Sequence, residues 1–290
     1  MMPAVQAQVP TDFARSFSLE ATRPKAAEIA ALAEILPAGT PIFITAVPTM
    51  NARELVAAAA ALRKAGFEPV AHIAARRLTG AGQLSDILAG LRAEADMRRL
   101  LVIGGDVDTA GPFADALAVI QKGGLREAGI EEIGIGGYPD GHPRISPQRL
   151  EAALDQKIAA ARAAGLRATI VSQFSFSPER ILAWLRQLRA CGIAVPVEVG
   201  MAGPASIASL LRYARRCGVT ASLRGLMSGA GHGLVRHAGP DRIVEALALA
   251  GDLGATPHYF SFGGTLETAR YACEAAARRP AAGHAMARSI

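Results

Sequence analysis

Acidic, imidazole, phenol and amide side chains stand at or just past the ends of successive apolar, strand-like runs: Glu20, Thr45, His72, Asp106, Tyr138 with His142, and Gln173. Such groups move protons and hydrogen-bond to polar heterocycles. They are scattered along about half the chain. They can act together only if the fold gathers strand ends at one rim, as a parallel barrel does.

Each residue also has a plainer reading. Glu20 closes Phe17-Ser18-Leu19-Glu20, where a carboxyl is poorly solvated; desolvation raises its pKa and makes it a usable proton donor near neutral pH. The alternative is a structural ion pair with Arg23. His72 follows Val70-Ala71 and reads equally as a satisfied core imidazole, and Thr45 is an ordinary strand residue. In Leu101-Val102-Ile103-Gly104-Gly105-Asp106 the two glycines let a ligand approach bare backbone and an acid follows at once, although a tight turn capped by Asp106 would look the same. No GK[ST] follows, so this is not a phosphate-binding P-loop. Tyr138-Pro139-Asp140-Gly141-His142-Pro143 holds a phenol and an imidazole in a proline-stiffened loop. Gln173 offers an amide beside Phe174 and Phe176, suited to a heterocycle edge.

The elements that must position these residues alternate. Continuous apolar runs at 16–20, 41–46, 70–74, 100–104, 133–137, 168–173, 195–199 and 258–262 suit parallel strands covered on both faces. Between them, 25–36, 52–65, 84–95, 113–120, 148–164, 178–190 and 206–216 have helical spacing. Several of these stop at a glycine suited to a left-handed C-cap: Gly66, Gly165, Gly192 and Gly218. About eight such units close most economically into an α/β fold of one (β/α)8 TIM barrel. An open doubly wound sheet is the alternative. It is disfavoured because the first loop, Ala21-Thr22-Arg23-Pro24, lacks a glycine-rich dinucleotide fingerprint. The helical stretches 221–233 and 241–249 predict extra helices before the last strand. No linker divides the chain, so residues 1–290 read as a single catalytic barrel domain, with 1–14 and 280–290 as flexible tails.

Composition narrows the function classes. With 51% hydrophobic and 19% charged residues among 290, the chain can bury a large core. The net charge of +6 is spread along helices, and aromatic residues make up only 5%, so no basic-aromatic platform for nucleic acid is expected. Cys191, Cys217 and Cys273 lie too far apart for a zinc or dithiol motif, and no metal is expected. No run is long enough for a membrane span and the start lacks a signal pattern, which leads us to expect a cytoplasmic protein. Alanine-rich helix faces suggest a homo-oligomer.

Taken in order, these segments resemble the methylenetetrahydrofolate reductase family from about Phe17 to Tyr271. Tyr138-Pro-Asp-Gly-His-Pro is similar to the family's YPExHP loop, Gly105-Asp106 falls on its RGD turn, and Glu20 falls on the acid of its SFEFFPP-like strand. The resemblance implies a flavoprotein of one-carbon metabolism. In it NADH or NADPH reduces FAD, and the reduced flavin converts methylenetetrahydrofolate to methyltetrahydrofolate, or the reverse. By that likeness Glu20 is the catalytic acid. Thr45, Ala46 through its backbone, His72, Gly104, Gly105, Asp106, Ala114, Tyr138 and His142 line FAD. Asp106 and Gln173 face the folate substrate, and Lys157 meets the FAD phosphates, with Arg162 the alternative if the register is anchored on Gly165.

There are departures. Gly104 stands in place of the family's arginine, Phe113 in place of a tyrosine, and the first strand lacks two phenylalanines. His258-Tyr259-Phe260-Ser261-Phe262-Gly263-Gly264 corresponds to HFYTLNR, so the arginine that would hold folate is Gly264, with Arg270 as a substitute further on. Two further readings follow from these losses: a folate oxidoreductase that works without flavin, and a non-catalytic barrel subunit that binds flavin or folate.

Overall fold

The computed structural model describes residues 12–108, 111–219 and 237–278. Eight parallel strands close into a barrel: β1 (Ser18–Ala21), β2 (Pro41–Ile44), β3 (Glu68–Ala74), β4 (Arg99–Ile103), β5 (Glu132–Gly137), β6 (Arg167–Ser172), β7 (Val197–Ala202) and β10 (Ala255–Phe260). Each pairs with its sequence neighbour in the barrel, and β10 closes the ring on β1 through Ser18↔His258 and Leu19↔Tyr259. The (β/α)8 architecture expected from the alternating pattern is therefore the one observed.

Helices α1 (Ala26–Ala33), α2 (Ala52–Lys64), α3 (Ala81–Ala95), α4 (Ala116–Lys122), α5 (Pro147–Ala163), α6 (Pro178–Ala190), α7 (Ile207–Cys217), α8 (Asp241–Leu249) and α9 (Thr265–Ala277) surround the barrel. Local chemistry sets their ends. At α2, Asn51 accepts from the Glu54 amide while the Glu54 carboxylate accepts from the Asn51 amide, so two otherwise orphaned donors are satisfied. Ser146 and Ser177 cap α5 and α6, each followed by a proline whose missing N–H costs nothing in the first turn. Gly218 ends α7 at φ +74, a left-handed value at which a Cβ would be strained.

Between β7 and β10 lies an inserted segment in which β8 (Ala205–Ser206) pairs antiparallel with β9 (His237–Ala238), and which also holds α7 and α8. The predicted helix over 241–249 is α8; the one over 221–233 lies outside the described residues, as do 1–11 and 280–290 of the predicted tails. Residues 12–14 do not behave as a tail, because Phe13 in the 3-10 turn Phe13–Arg15 is buried in the core. An apolar ring against helices α8 and α9 is worth more in contact than in water.

Two strand boundaries differ from the sequence reading in a way that matters. The run at 258–262 is in fact the end of β10 and the turn after it, and β7 begins at Val197 rather than 195. Pro257 argues against a strand from sequence, yet its backbone sits in register with Val199. His258 consequently lies inside the barrel.

The core has an outer shell, in which Leu32, Leu62, Leu88, Ile120 and Ile181 seal helices to strands, and a lumen layer of Phe43, Val70, Leu101 and Val171. Gly134 makes room for the lumen layer: a Cβ there would come within 3.0 Å of both Leu101 and Val171. Among the described residues, no helix is long and apolar enough to cross a membrane.

Candidate active site

Strand alternation sends Ser18 and Glu20 of β1 into the lumen, while Leu19 and Ala21 join the outer core. Glu20 sits at the mouth, 8% exposed. Its Oε2 accepts from the Thr45 hydroxyl at 3.0 Å; its Oε1 lies 3.4 Å from His258 Nε2 and 3.5 Å from His72 Nε2. Arg23 takes no part, because it turns away at φ +50 to pair with Glu54 at 2.7 Å. The ion-pair alternative for Glu20 thus gives way to a carboxylate between two imidazoles.

The electrostatics correct the simple desolvation argument. Burial pushes the Glu20 carboxyl up, but His72, His258 and Thr45 together outweigh it and hold the group below the usual glutamate range. Burial also holds the His72 imidazole below its ordinary value. A carboxyl in an apolar strand is a proton donor only if something beside it keeps a proton available.

Beneath Glu20 a polar chain runs down the lumen. Ser18 Oγ is 2.8 Å from His258 Nδ1 and donates to Glu198 Oε2 at 3.1 Å; Glu198 Oε1 accepts from Arg99 Nη2 at 2.7 Å; Arg99 Nε faces Glu132 Oε1 at 2.9 Å, which also accepts from Thr169 Oγ1 at 2.8 Å. Phe43 is the apolar partner to this chain: its ring lies edge-to-face with His258 at 4.5 Å and under the Arg99 guanidinium at 5.3 Å. Buried polar groups are tolerated when they have partners, and here hydrogen bonds link Ser18, Glu198 and Arg99, while Arg99 Nε meets Glu132 as an ion pair without forming a hydrogen bond.

The rest of the rim is more open. Asp106, half exposed, is gripped by Arg77, whose Nη1 also donates to the Ala46 carbonyl at 3.2 Å, with Arg216 further off at 3.9 Å. Its slight burial would raise the carboxyl, but the two arginines hold it below the usual aspartate range. Gly105 sits at φ +90, and the Gly104 carbonyl accepts from the Arg76 amide at 3.0 Å. Tyr138 and His142 meet edge-to-face at 5.5 Å, and His142 Nδ1 accepts from the Arg144 amide. Burial shifts this phenol up and this imidazole down. Gln173 folds its side-chain oxygen onto the Phe174 amide at 3.0 Å. Beside it stands an aromatic wall in which Phe174 meets Phe260 and Phe262, and Tyr213 stacks on Phe262 at 4.0 Å.

Of the sequence candidates only Thr45 and His72 touch the Glu20 carboxylate; the others stand apart from it, Ala114 and Lys157 among them. Ala114 is exposed and contributes its carbonyl to Arg76 Nε at 2.8 Å. Lys157 of α5 places Nζ 3.5 Å from the Gly136 carbonyl, where burial lowers its pKa against the pull of Asp115. Gly264 has φ +129, a conformation that disfavours an arginine at that point, so the missing guanidinium is built into the backbone.

Sequence reasoning missed Ser18, Arg77, Glu198 and Arg99 as site neighbours, and placed His258 in a motif without giving it a role. The period-two spacing of Ser18 with Glu20 was the available signal, since both must face the same side of a strand.

Two observations suit a flat, hydrogen-bonding cofactor on this rim. His72 Nε2 is buried and makes no hydrogen bond, with Glu20 Oε1 at 3.5 Å as its ion-pair neighbour, and a Cβ built on Gly104 would meet nothing within 4 Å, so bare backbone faces open space there. The ends of β3 and β4 thus offer a ring nitrogen without a hydrogen bond and open backbone that would suit such a group.

The fold agrees with known enzymes. Dihydropteroate synthase from Thermus thermophilus superposes with a TM-score of 0.51 at 16% identity, covering 90% of this chain and 92% of that one. A 2,3-dimethylmalate lyase of the PEP mutase/isocitrate lyase superfamily gives 0.49 at 12% identity, over 86% and 76%. At these identities the first likeness bears on fold alone, and the second carries no argument. Sequence is more specific: residues 8–222, which supply every strand of the rim except β10, match the family described as methylenetetrahydrofolate reductase. With an acid held between imidazoles at the mouth of a closed parallel barrel, the chain belongs to the methylenetetrahydrofolate reductase family and is an enzyme of folate-related reduction.

Proposed function

We propose that this protein reduces methylenetetrahydrofolate to methyltetrahydrofolate with NADH or NADPH through bound FAD, as one catalytic barrel in a cytoplasmic homo-oligomer. The observation that carries the reading is Glu20, buried at the mouth with a hydroxyl on one oxygen and two imidazoles on the other. Glu20 delivers the proton that lets the substrate's five-membered ring open. Thr45 fixes the carboxylate rotamer, and the aromatic wall around Phe174, Phe260 and Phe262 excludes water beside the reacting atoms. His72, Gly104, Gly105, the Ala46 backbone, Tyr138 and His142 hold the flavin ring; Ala114 and Lys157 serve its more distant parts. Asp106 and Gln173 orient folate. Bound flavin would supply the hydride.

The visible absorption spectrum with and without added FAD tests this directly. A yellow protein that oxidises NAD(P)H only when folate substrate is present supports it. A colourless protein that takes up no FAD and turns over no folate sinks it.

One observation favours a second reading, hydride transfer to folate without flavin. Arg77 already joins the Ala46 carbonyl to the Asp106 carboxylate, two groups the flavin reading needs. Full folate-dependent NAD(P)H oxidation by protein stripped of FAD would establish that version.

A further inference from the structure

The lumen chain beneath Glu20 has a proton count that its geometry dictates. The Ser18 hydroxyl owns one hydrogen and has two neighbours, Glu198 Oε2 at 3.1 Å and His258 Nδ1 at 2.8 Å. Glu198, held against the Arg99 guanidinium at 2.7 Å, is a carboxylate and can only accept. The Ser18 hydrogen therefore points to Glu198, and the remaining contact at 2.8 Å is satisfied only if His258 Nδ1 carries a hydrogen of its own. On the other edge of the same ring, Nε2 faces Glu20 Oε1 at 3.4 Å. With Nδ1 already protonated, that contact needs one more hydrogen, either on Nε2 or on Glu20.

We propose that Ser18 and Glu198, locked by Arg99, hold a proton on His258 Nδ1 and so oblige the Glu20–His258 pair to store the one further proton that the site delivers to substrate. The proposal rests on Glu20 acting as the acid. His258 is a positioning and proton-storing residue; it is fully buried. In the step itself, the stored proton passes from the pair to the substrate's leaving nitrogen. The carbon–nitrogen bond breaks with its electron pair going to that nitrogen, and the carbon is left as an iminium. Glu20 then stands as a carboxylate beside a neutral His258 that keeps its hydrogen on Nδ1. An aspartate behind a catalytic histidine fixes a tautomer in the same manner.

The arrangement also explains how an acid can work from a site whose neighbours favour its ionised form. The groups around this pair are His72 from β3, Glu198 from β7 with Arg99 of β4 behind it, and, from the end of α7, the Cys217 thiol, which burial raises, Arg216 lowers and the Glu20 charge raises. Of these, Glu198 places its Oε2 3.9 Å from His258 Nδ1, so the imidazole stands between that carboxylate and Glu20. The Phe43 ring at 4.5 Å closes one face of His258 against water.

Nitrogen-15 NMR of the full-length protein labelled at histidine tests the count without any turnover, with the His258 resonance assigned by its loss in His258→Gln. A protonated Nδ1 throughout the neutral range is expected; an unprotonated Nδ1 overturns the proposal. Turnover supplies the second measurement. Loss of the stored proton should make folate-dependent kcat fall with rising pH at the pair's apparent pKa. In Ser18→Ala and in Glu198→Gln that fall should move to lower pH by roughly one unit, with kcat at neutral pH down about tenfold. A uniform loss at every pH, with the fall unmoved, would mean that the chain is merely structural. If the wild-type protein turns over no folate, the functional reading fails, while the Nδ1 measurement still decides the proton count.

Discussion

Two carboxylates stand on the same barrel rim and have been given different neighbours. Glu20 is buried and faces two imidazoles, rings whose nitrogens can carry or pass on a proton, and a hydroxyl that only hydrogen-bonds to it. Asp106 is half exposed and faces Arg77 and Arg216, whose charge does not come off in a protein. Both are held below their usual pKa ranges, yet only Glu20 has a proton within reach. An acid's partner, more than its pKa direction, decides whether it can be a donor. Asp106 can accept and orient; Glu20 can transfer.

The largest expected effect comes from removing the transferable group. Glu20→Gln should lower folate-dependent turnover by about a hundredfold to ten-thousandfold, with reduction of the flavin by NAD(P)H spared, as read by stopped-flow absorbance of the two half-reactions. Next is the support beneath it. Arg99→Met leaves Glu198 and Glu132 facing each other in the lumen without their shared cation, and should cost about 3–5 kcal/mol in a denaturant titration. If that variant is as stable as wild type, the lower lumen is solvated and the contrast between a dry and a wet carboxylate collapses.

Asp106→Asn removes an oriented acceptor from the rim, worth about tenfold in kcat/KM, and should leave the pH limbs where they are. A moved limb would give Asp106 a proton-transfer role and erase the distinction. Smallest is Arg77→Ala, because Asp106 is half exposed and solvent screens the pair: a stability change below about 1 kcal/mol. The sign is set by the depressed pKa in the fold. The stabilisation exists above the unfolded value of about 3.9 and vanishes as pH falls through the folded value, so wild type and variant should differ near neutrality and converge in acid. Thermal melts across that range check it.

The alternating order of elements was legible because buried parallel strands are continuous apolar runs and their helices carry a 3.6-residue period. Strand edges were less so. Pro257 hid the start of β10, and with it the inward direction of His258. Phe13 read as part of a tail because nothing local to it reports that α8 and α9 lie across it. Glu20, Thr45 and His72 were visible as strand-borne polar residues, and the structure brings these three together. Arg77 was invisible as a neighbour of Asp106, since a guanidinium's reach depends on where two separate loops end.

By itself the sequence determined which residues could carry protons, that eight strand–helix units follow one another, and that the chain is similar to one folate enzyme family; composition and periodicity are local properties, written position by position. Only the tertiary structure decided which polar residues share a hydrogen. Ser18, Arg99, Glu198 and His258 come from four different strands, and closure of the barrel sets them 2.7 to 3.1 Å apart from one to the next. A contact of that kind depends on register and shear across the whole ring, and no stretch of sequence contains it.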